Sequence, residues 1–183
     1  LREEKLPVLT KDIGEKMEAA ILAAKAEGDS VGGIVECMVT GLPVGLGDPF
    51  FDSLESELSH MMFSIPAVKG IEFGDGFGLA AMKGSAANDG MRWAEGKVET
   101  KTNHNGGILG GISGGSPVIF RLAIKPTASI GKPQLTVNLA ERKDTLLTIG
   151  GRHDPCIIPR AMPVIETAAA LVILDEMMLA GNL

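Results

Sequence analysis

The run Gly150-Gly-Arg-His-Asp-Pro-Cys156 sets a guanidinium, an imidazole and a carboxylate on three successive positions. Arg152 can grip an anion bidentately, and a carboxylate held beside it, Asp154, can accept or relay a proton. An Arg/Asp pair capping a loop would use the same residues. Arg160 adds a second guanidinium a few positions on. Lys125-Pro126-Thr127-Ala128-Ser129 offers one cation and two hydroxyls around a proline-stiffened turn, a set suited to phosphate oxygens, although a surface lysine beside a turn is the commoner occurrence. Between Asn103 and Gly115, glycine stands at 106, 107, 110, 111, 114 and 115. Such a stretch lets backbone N–H groups approach a ring or a phosphate closely, and tight turns between strands would need the same glycines. It matches neither the Walker pattern nor a strand-loop-helix dinucleotide fingerprint. His104 borders this stretch and is placed to touch a ligand, whereas His60 lies off the apolar stripe of its helix and reads as a solvated surface residue. The three histidines with Cys37 and Cys156 show no zinc spacing, so no metal site is expected.

These residues need elements to hold them. Ile13, Met17, Ala20, Ile21 and Ala24 recur at helical spacing between Thr10 and Glu27, with Gly28 as a stop. Alternation from Val31 to Thr40 predicts a strand, followed by a bend through Gly47. Asp48 as N-cap and Pro49 at the first helical position predict a second helix, whose stripe runs from Phe51 to Ile65. Asp52, Glu55 and Glu57 then fall in its first turns, where the dipole favours them and a structural role suffices. A short strand is predicted over Val68–Phe73, a polar loop over Gly84–Glu95 and an edge strand over Lys97–Thr102. Val118, Phe120, Leu122 and Ile124 alternate with Ile119, Arg121, Ala123 and Lys125, so a strand delivers Lys125 to its end. Leu135, Val137 and Leu139, then Thr145, Leu147 and Ile149, form a predicted hairpin, and Pro163 starts the last helix, which ends before Gly181. Hairpin-like strands with three long helices predict an α+β fold treated as one unit over 1–183.

The bulk properties narrow the function. The chain has 183 residues, 45% hydrophobic and 22% charged, which excludes disorder, collagen and coiled coil as descriptions. Its 24 glycines, 10 prolines and absence of tyrosine put many positions to work on backbone geometry. A net charge of −6 argues against a nucleic-acid or acidic-membrane surface, so any anion site must be local. Two distant cysteines favour a reducing, cytoplasmic setting, and no apolar run reaches the roughly 18 residues a bilayer span needs. Leu1-Arg-Glu-Glu carries no signal-peptide pattern.

Six ordered blocks carry a resemblance. Gly32-Gly-Ile-Val-Glu36, Gly45-Leu-Gly-Asp-Pro49, Gly70-Ile-Glu-Phe-Gly74, Asn105-Gly-Gly-Ile-Leu-Gly-Gly-Ile-Ser113, Lys125-Pro-Thr-Ala-Ser129 and Gly151-Arg-His-Asp-Pro-Cys156 with Pro159-Arg-Ala161 make the chain resemble the C-terminal half of chorismate synthase. That resemblance implies a lyase of the shikimate pathway, serving aromatic amino acid biosynthesis. It would convert 5-enolpyruvylshikimate 3-phosphate to chorismate by 1,4-elimination of phosphate, with reduced FMN and no net redox change. It implies that Ala86, Ala87, Gly110, Lys125, Pro126, Thr127, Ala128, Ser129 and Arg152 contact FMN or its phosphate, that Arg152 also meets the substrate, and that Asp154 is the catalytic carboxylate. The chain departs from commoner family versions at Ala86-Ala-Asn88, where larger polar residues are usual. The N-terminal half of the family chain, with the histidines assigned to proton transfer, has no counterpart in this sequence, so the 183 residues would supply the flavin-side half of a site. By resemblance the fold is a β-α-β sandwich, helices packed between antiparallel sheets, and full chains form homotetramers. A flavin-binding or flavin-reducing protein of another reaction type, and a non-catalytic interaction fragment, remain the alternatives.

Overall fold

The computed structural model describes residues 6–181. Its elements, in chain order, are α1 (Lys11–Ala26), β1 (Gly33–Val39), α2 (Leu54–Phe63), β2 (Val68–Phe73), a 3-10 turn (Gly76–Ala81), α3 (Gly84–Ala87), β3 (Met91–Ala94), β4 (Lys97–Thr100), β5 (Ile108–Leu109), β6 (Ile112–Ser113), β7 (Val118–Ile124), β8 (Gln134–Asn138), β9 (Lys143–Leu147) and α4 (Ile158–Leu179). The fold is α+β, as predicted, with antiparallel pairing in β3–β4, β5–β6 and β8–β9. Two compact units divide it: residues up to Gly33 with Ile124–Ala161, and Ile34–Ala123 with the residues from Met162.

The second unit holds a three-stranded sheet in the order β1-β7-β2. The period-two reading of β7 holds: Val118, Phe120 and Leu122 are fully buried while Ile119, Arg121 and Ala123 are not. Each such side chain stabilises the fold by about 1.5–3 kcal/mol. Phe120 also stacks at a tilt on Phe73, with centroids 6.0 Å apart. On α2 the buried positions are Leu54, Leu58 and Met62, four residues apart; on α4 they are Ile165, Ala168, Ala169, Val172, Ile173 and Glu176. Glu176 is the exception in that stripe, 7% exposed, and burial first, then Glu57, Asp175 and Asp52, push its carboxyl up against the opposing N–H of Gly47.

Three boundaries differ from expectation. α2 does not begin at Asp48: the backbones of Asp48 and Asp52 bond each other reciprocally (2.8 and 3.1 Å), closing a loop before the helix can start. Ser53 is the N-cap instead, its hydroxyl accepting the Ser56 N–H, and Phe51 stays outside, exposed. The stretch 84–95 is not all loop: it contains α3 and β3, the latter joined to β4 by a two-residue turn at Glu95-Gly96 with φ 49° and 78°. α4 starts at Ile158 rather than Pro163. Pro159 suits the first turn, and Pro163, inside the helix, lacks the N–H that would have reached the Pro159 carbonyl and sets its ring against that carbonyl.

Within the first unit, β8 and β9 pair from Gln134↔Leu147 to Asn138↔Lys143. Asn138 closes the turn, its Oδ1 accepting from the N–H groups of Ala140 and Glu141. Lys132 ties this region to the end of α1 through Glu27 (3.0 Å) and Asp29 (2.8 Å). No helix among the described residues is long and apolar enough to cross a membrane.

Candidate functional site

In the first unit two chemistry-bearing segments are held by one short strap. β7 ends at Ile124 and releases Lys125–Ser129 as an irregular segment; Gly150–Pro155 leads irregularly towards α4. Asp29–Gly32, just after α1, engages both. The Ser30 hydroxyl donates to the Thr127 carbonyl (2.6 Å), and the Val31 N–H donates to the Pro155 carbonyl (2.8 Å). Gly32 lies so close that a Cβ there would run into the Ile124 carbonyl oxygen and stand 2.9 Å from the Pro126 nitrogen. Only glycine permits that approach.

The side chains on these segments sort into free and engaged groups. Lys125 is exposed and makes no ion pair among the described residues, so its charge is available. Arg152 is 91% exposed, with Nη2 3.8 Å from Asp154 Oδ1. Asp154, 35% exposed, is held more firmly on its other oxygen, where Arg160 donates from Nη2 to Oδ2 at 2.5 Å. Ser129 Oγ lies 3.1 Å from His153 Nδ1, and the other ring nitrogen of His153 lies 2.9 Å from the Ile149 carbonyl oxygen. Pro126, Ala128 and Ser129 are exposed, and the Ala128 carbonyl accepts from Gln134 Nε2 (3.1 Å). Thr127 behaves differently from its neighbours. Its Oγ1 is inaccessible and without a hydrogen-bond partner. Of the two hydroxyls read from this segment, Ser129's is therefore the one open to a ligand.

The other residues singled out lie in the second unit. Ala86 and Ala87 sit on α3, a single turn of helix. Asp89 follows, and its carboxylate gathers four donors: the Thr102 hydroxyl (2.7 Å), the His104 N–H (2.8 Å) and both the backbone N–H (3.0 Å) and Nδ2 (2.8 Å) of Asn105. Burial opposes its ionisation, but these bonds, Asn105's foremost, outweigh it and bring its pKa from 3.8 to about 2. Asp89 thus moors α3 to the start of the glycine stretch. Within that stretch the glycines divide. A Cβ at Gly106 would stand 2.7 Å from the Ile119 carbonyl oxygen, and one at Gly107 2.7 Å from the Pro117 carbonyl carbon, so both serve internal packing. Gly110, at φ 61° in the β5–β6 turn, has nothing within 4 Å of a Cβ position and leaves its backbone open to a ligand. His104 is engaged rather than free, its Nδ1 2.6 Å from Asp75 Oδ2. His60 is exposed, as read.

Ser30, Val31, Gly32 and Asp89 were not among the residues picked out by type and spacing. Gly32 did fall in a quoted block, and Asp89 adjoins one of the singled-out pairs. Their partners are distant in sequence, which is why local pattern missed them.

A sequence profile for the family described as chorismate synthase matches residues 1–178. The chain is 52% identical over 180 residues to the chorismate synthase of Methanosarcina acetivorans, covering 97% of this chain and 49% of that one. It is 54% identical over 168 residues to that of Chitinophaga pinensis, covering 92% and 49%. A crystal structure described as chorismate synthase superposes with a TM-score of 0.74 at 28% identity, covering 92% of this chain and 44% of that one. The chain spans about half the length of these relatives. Sequence profile, relatives and fold agree, and the chain belongs to the chorismate synthase family.

Proposed function

We propose that this chain carries the flavin-side half of an active site that converts 5-enolpyruvylshikimate 3-phosphate to chorismate by 1,4-elimination of phosphate, with reduced FMN bound. The observation that carries the reading is the shared strap. Ser30 and Val31 hold an open lysine and an open serine hydroxyl on one segment, and Arg152 with Asp154 on the other, Asp154 being bonded to Arg160 of α4, within one compact unit.

The residues suit a flavin mononucleotide. Lys125, Arg152 and the Ser129 hydroxyl, all in the first unit, are the donor set a phosphate monoester needs. In the second unit, taken by itself, Ala86 and Ala87 present small side chains on a turn moored by Asp89, and Gly110 leaves its backbone exposed. Reduced FMN, when bound, supplies an electron-rich ring beside the substrate. The chain's own residues do the rest. Pro126 stiffens the segment carrying Lys125, Thr127 and Ala128 give it backbone anchors through their carbonyls, and Arg152 keeps its guanidinium free for an anion. Asp154, its Oδ2 taken by Arg160, has Oδ1 as the oxygen that holds or passes a proton. An elimination removes a proton and expels phosphate as the carbon–hydrogen electron pair becomes part of the new double-bond system; Asp154 addresses the first of those ends and Arg152, where it also meets the substrate, the second.

The preceding half of the family chain completes the site with further proton-transfer and substrate-gripping groups, and the full enzyme works in the cytoplasm as a homotetramer. Full-length protein carrying this chain, given the substrate and reduced FMN without oxygen, is expected to release one phosphate per chorismate formed. The chain alone is expected to show no turnover, because both positioning and general acid–base help would be missing, the latter worth about 10²–10⁴-fold. Turnover by the chain alone at the full-length rate, or none by the full-length protein, would overturn the proposal.

A further inference from the structure

We infer that His153 is a positioning residue for phosphate recognition, setting the direction in which the Ser129 hydroxyl donates and so coupling the grip on a phosphate to the protonation of its own ring. The inference rests on the reading of Lys125–Ser129 as a phosphate-binding segment and adds to it a control that the reading does not contain.

The hydrogen-bond partners decide the ring's state. His153 Nε2 lies 2.9 Å from the Ile149 carbonyl oxygen, which can only accept, so Nε2 carries the hydrogen. In the neutral ring Nδ1 is then a bare acceptor. Ser129 Oγ, 3.1 Å away, donates its single hydrogen to Nδ1 and keeps only lone pairs for anything else. Lone pairs face a phosphate oxygen unfavourably. When the ring gains a proton at Nδ1, the bond to Ser129 reverses: Nδ1–H donates to Oγ, and the hydroxyl hydrogen is released towards the ligand. No heavy atom has to move for this exchange, since the Ile149 bond is kept in both states. Histidine is the side chain that ordinarily changes charge between pH 5 and 8.

Charged groups on the segments that meet His153 are Arg152 and Asp154 on its own segment, Lys125 on the segment carrying Ser129, and Arg160 on α4, which is already bonded to Asp154. A phosphate arriving between Lys125 and Ser129 would favour the protonated ring, which is the same coupling seen from the ligand's side.

The test measures FMN and riboflavin affinity by flavin fluorescence at about pH 5.5 and about pH 8, in full-length protein carrying this chain. The variants are His153→Gln, which keeps an N–H donor for Ile149 but cannot take up a proton, Ser129→Ala, and the two combined. FMN's own phosphate ionises near pH 6 in every variant, so it cancels in the comparison. The expected result is that wild type exceeds His153→Gln in FMN affinity relative to riboflavin by about tenfold at the lower pH, converging at the higher. In the Ser129→Ala background that difference is expected to disappear. Parallel pH profiles for wild type and His153→Gln would overturn the inference, and so would a difference that persists without Ser129, which would be the imidazolium charge acting alone. Equal FMN and riboflavin affinity in wild type at both pH values would instead remove the phosphate-binding reading itself and the inference with it. Imidazole nitrogen chemical shifts of the unsubstituted protein give a check that no folding defect can blur: the neutral ring is expected to bear its hydrogen on Nε2, and the Nδ1–H form would refute the scheme.

Discussion

Asp154 is held unequally, Oδ2 at 2.5 Å from Arg160 and Oδ1 at 3.8 Å from the exposed Arg152. Substitution separates a working carboxylate from a bracing one. In the full-length protein Asp154→Asn keeps the shape and much of the hydrogen bonding, so fold and ligand binding are expected to survive while single-turnover elimination slows by about 100-fold. A carboxylate that only braces its arginines would show the reverse pattern, with lower melting temperature, weaker binding and an unchanged chemical step. At the same scale Cys37 reads as a packing residue: burial pushes its thiol up, away from the reactive thiolate.

At the level of elements, the carboxylate of Asp89 joins α3 to the glycine stretch, and its bonds require it ionised. Its folded pKa lies below its unfolded one, so the stability it contributes is present above about pH 4 and is lost as pH falls towards about 2. After discounting for solvent the contribution is on the order of 1 kcal/mol. Thermal melts of wild type and Asp89→Asn are therefore expected to differ at pH 7 and to converge near pH 2; a constant gap would mean the charge is not the source. Most elements were legible in the sequence where a single period governs several residues, as in β7, α1 and the β8–β9 hairpin. What escaped was set by contacts that periodicity does not encode. The reciprocal Asp48–Asp52 backbone pairing displaced the start of α2, and a proline tolerated inside α4 masked its true beginning. The candidate site shows the same division: Lys125, Arg152 and Asp154 were legible by type, whereas Ser30, 97 residues from the Thr127 it holds, was not.

The chain spans about half of its relatives, and it exposes large apolar side chains in number, among them Leu135 at 84% and Trp93 at 78%. Its charge is −6, yet Lys125 and Arg152 stand on the two segments that Ser30 and Val31 hold, with Arg160 on α4 bonded to Asp154. A local cationic site on an acidic protein is expected to distinguish a ligand that bears a phosphate from one that lacks it. The central claim, that this chain carries the flavin-side half of the site with the flavin phosphate at Lys125, is tested most directly by comparing FMN with riboflavin in full-length protein carrying this chain, as wild type and as Lys125→Ala. Wild type is expected to bind FMN more tightly by about 10- to 100-fold, the worth of a charge-assisted contact of roughly 1.5–3 kcal/mol, and Lys125→Ala to lose most of that preference while binding riboflavin unchanged. Equal affinity in all four combinations would contradict the account.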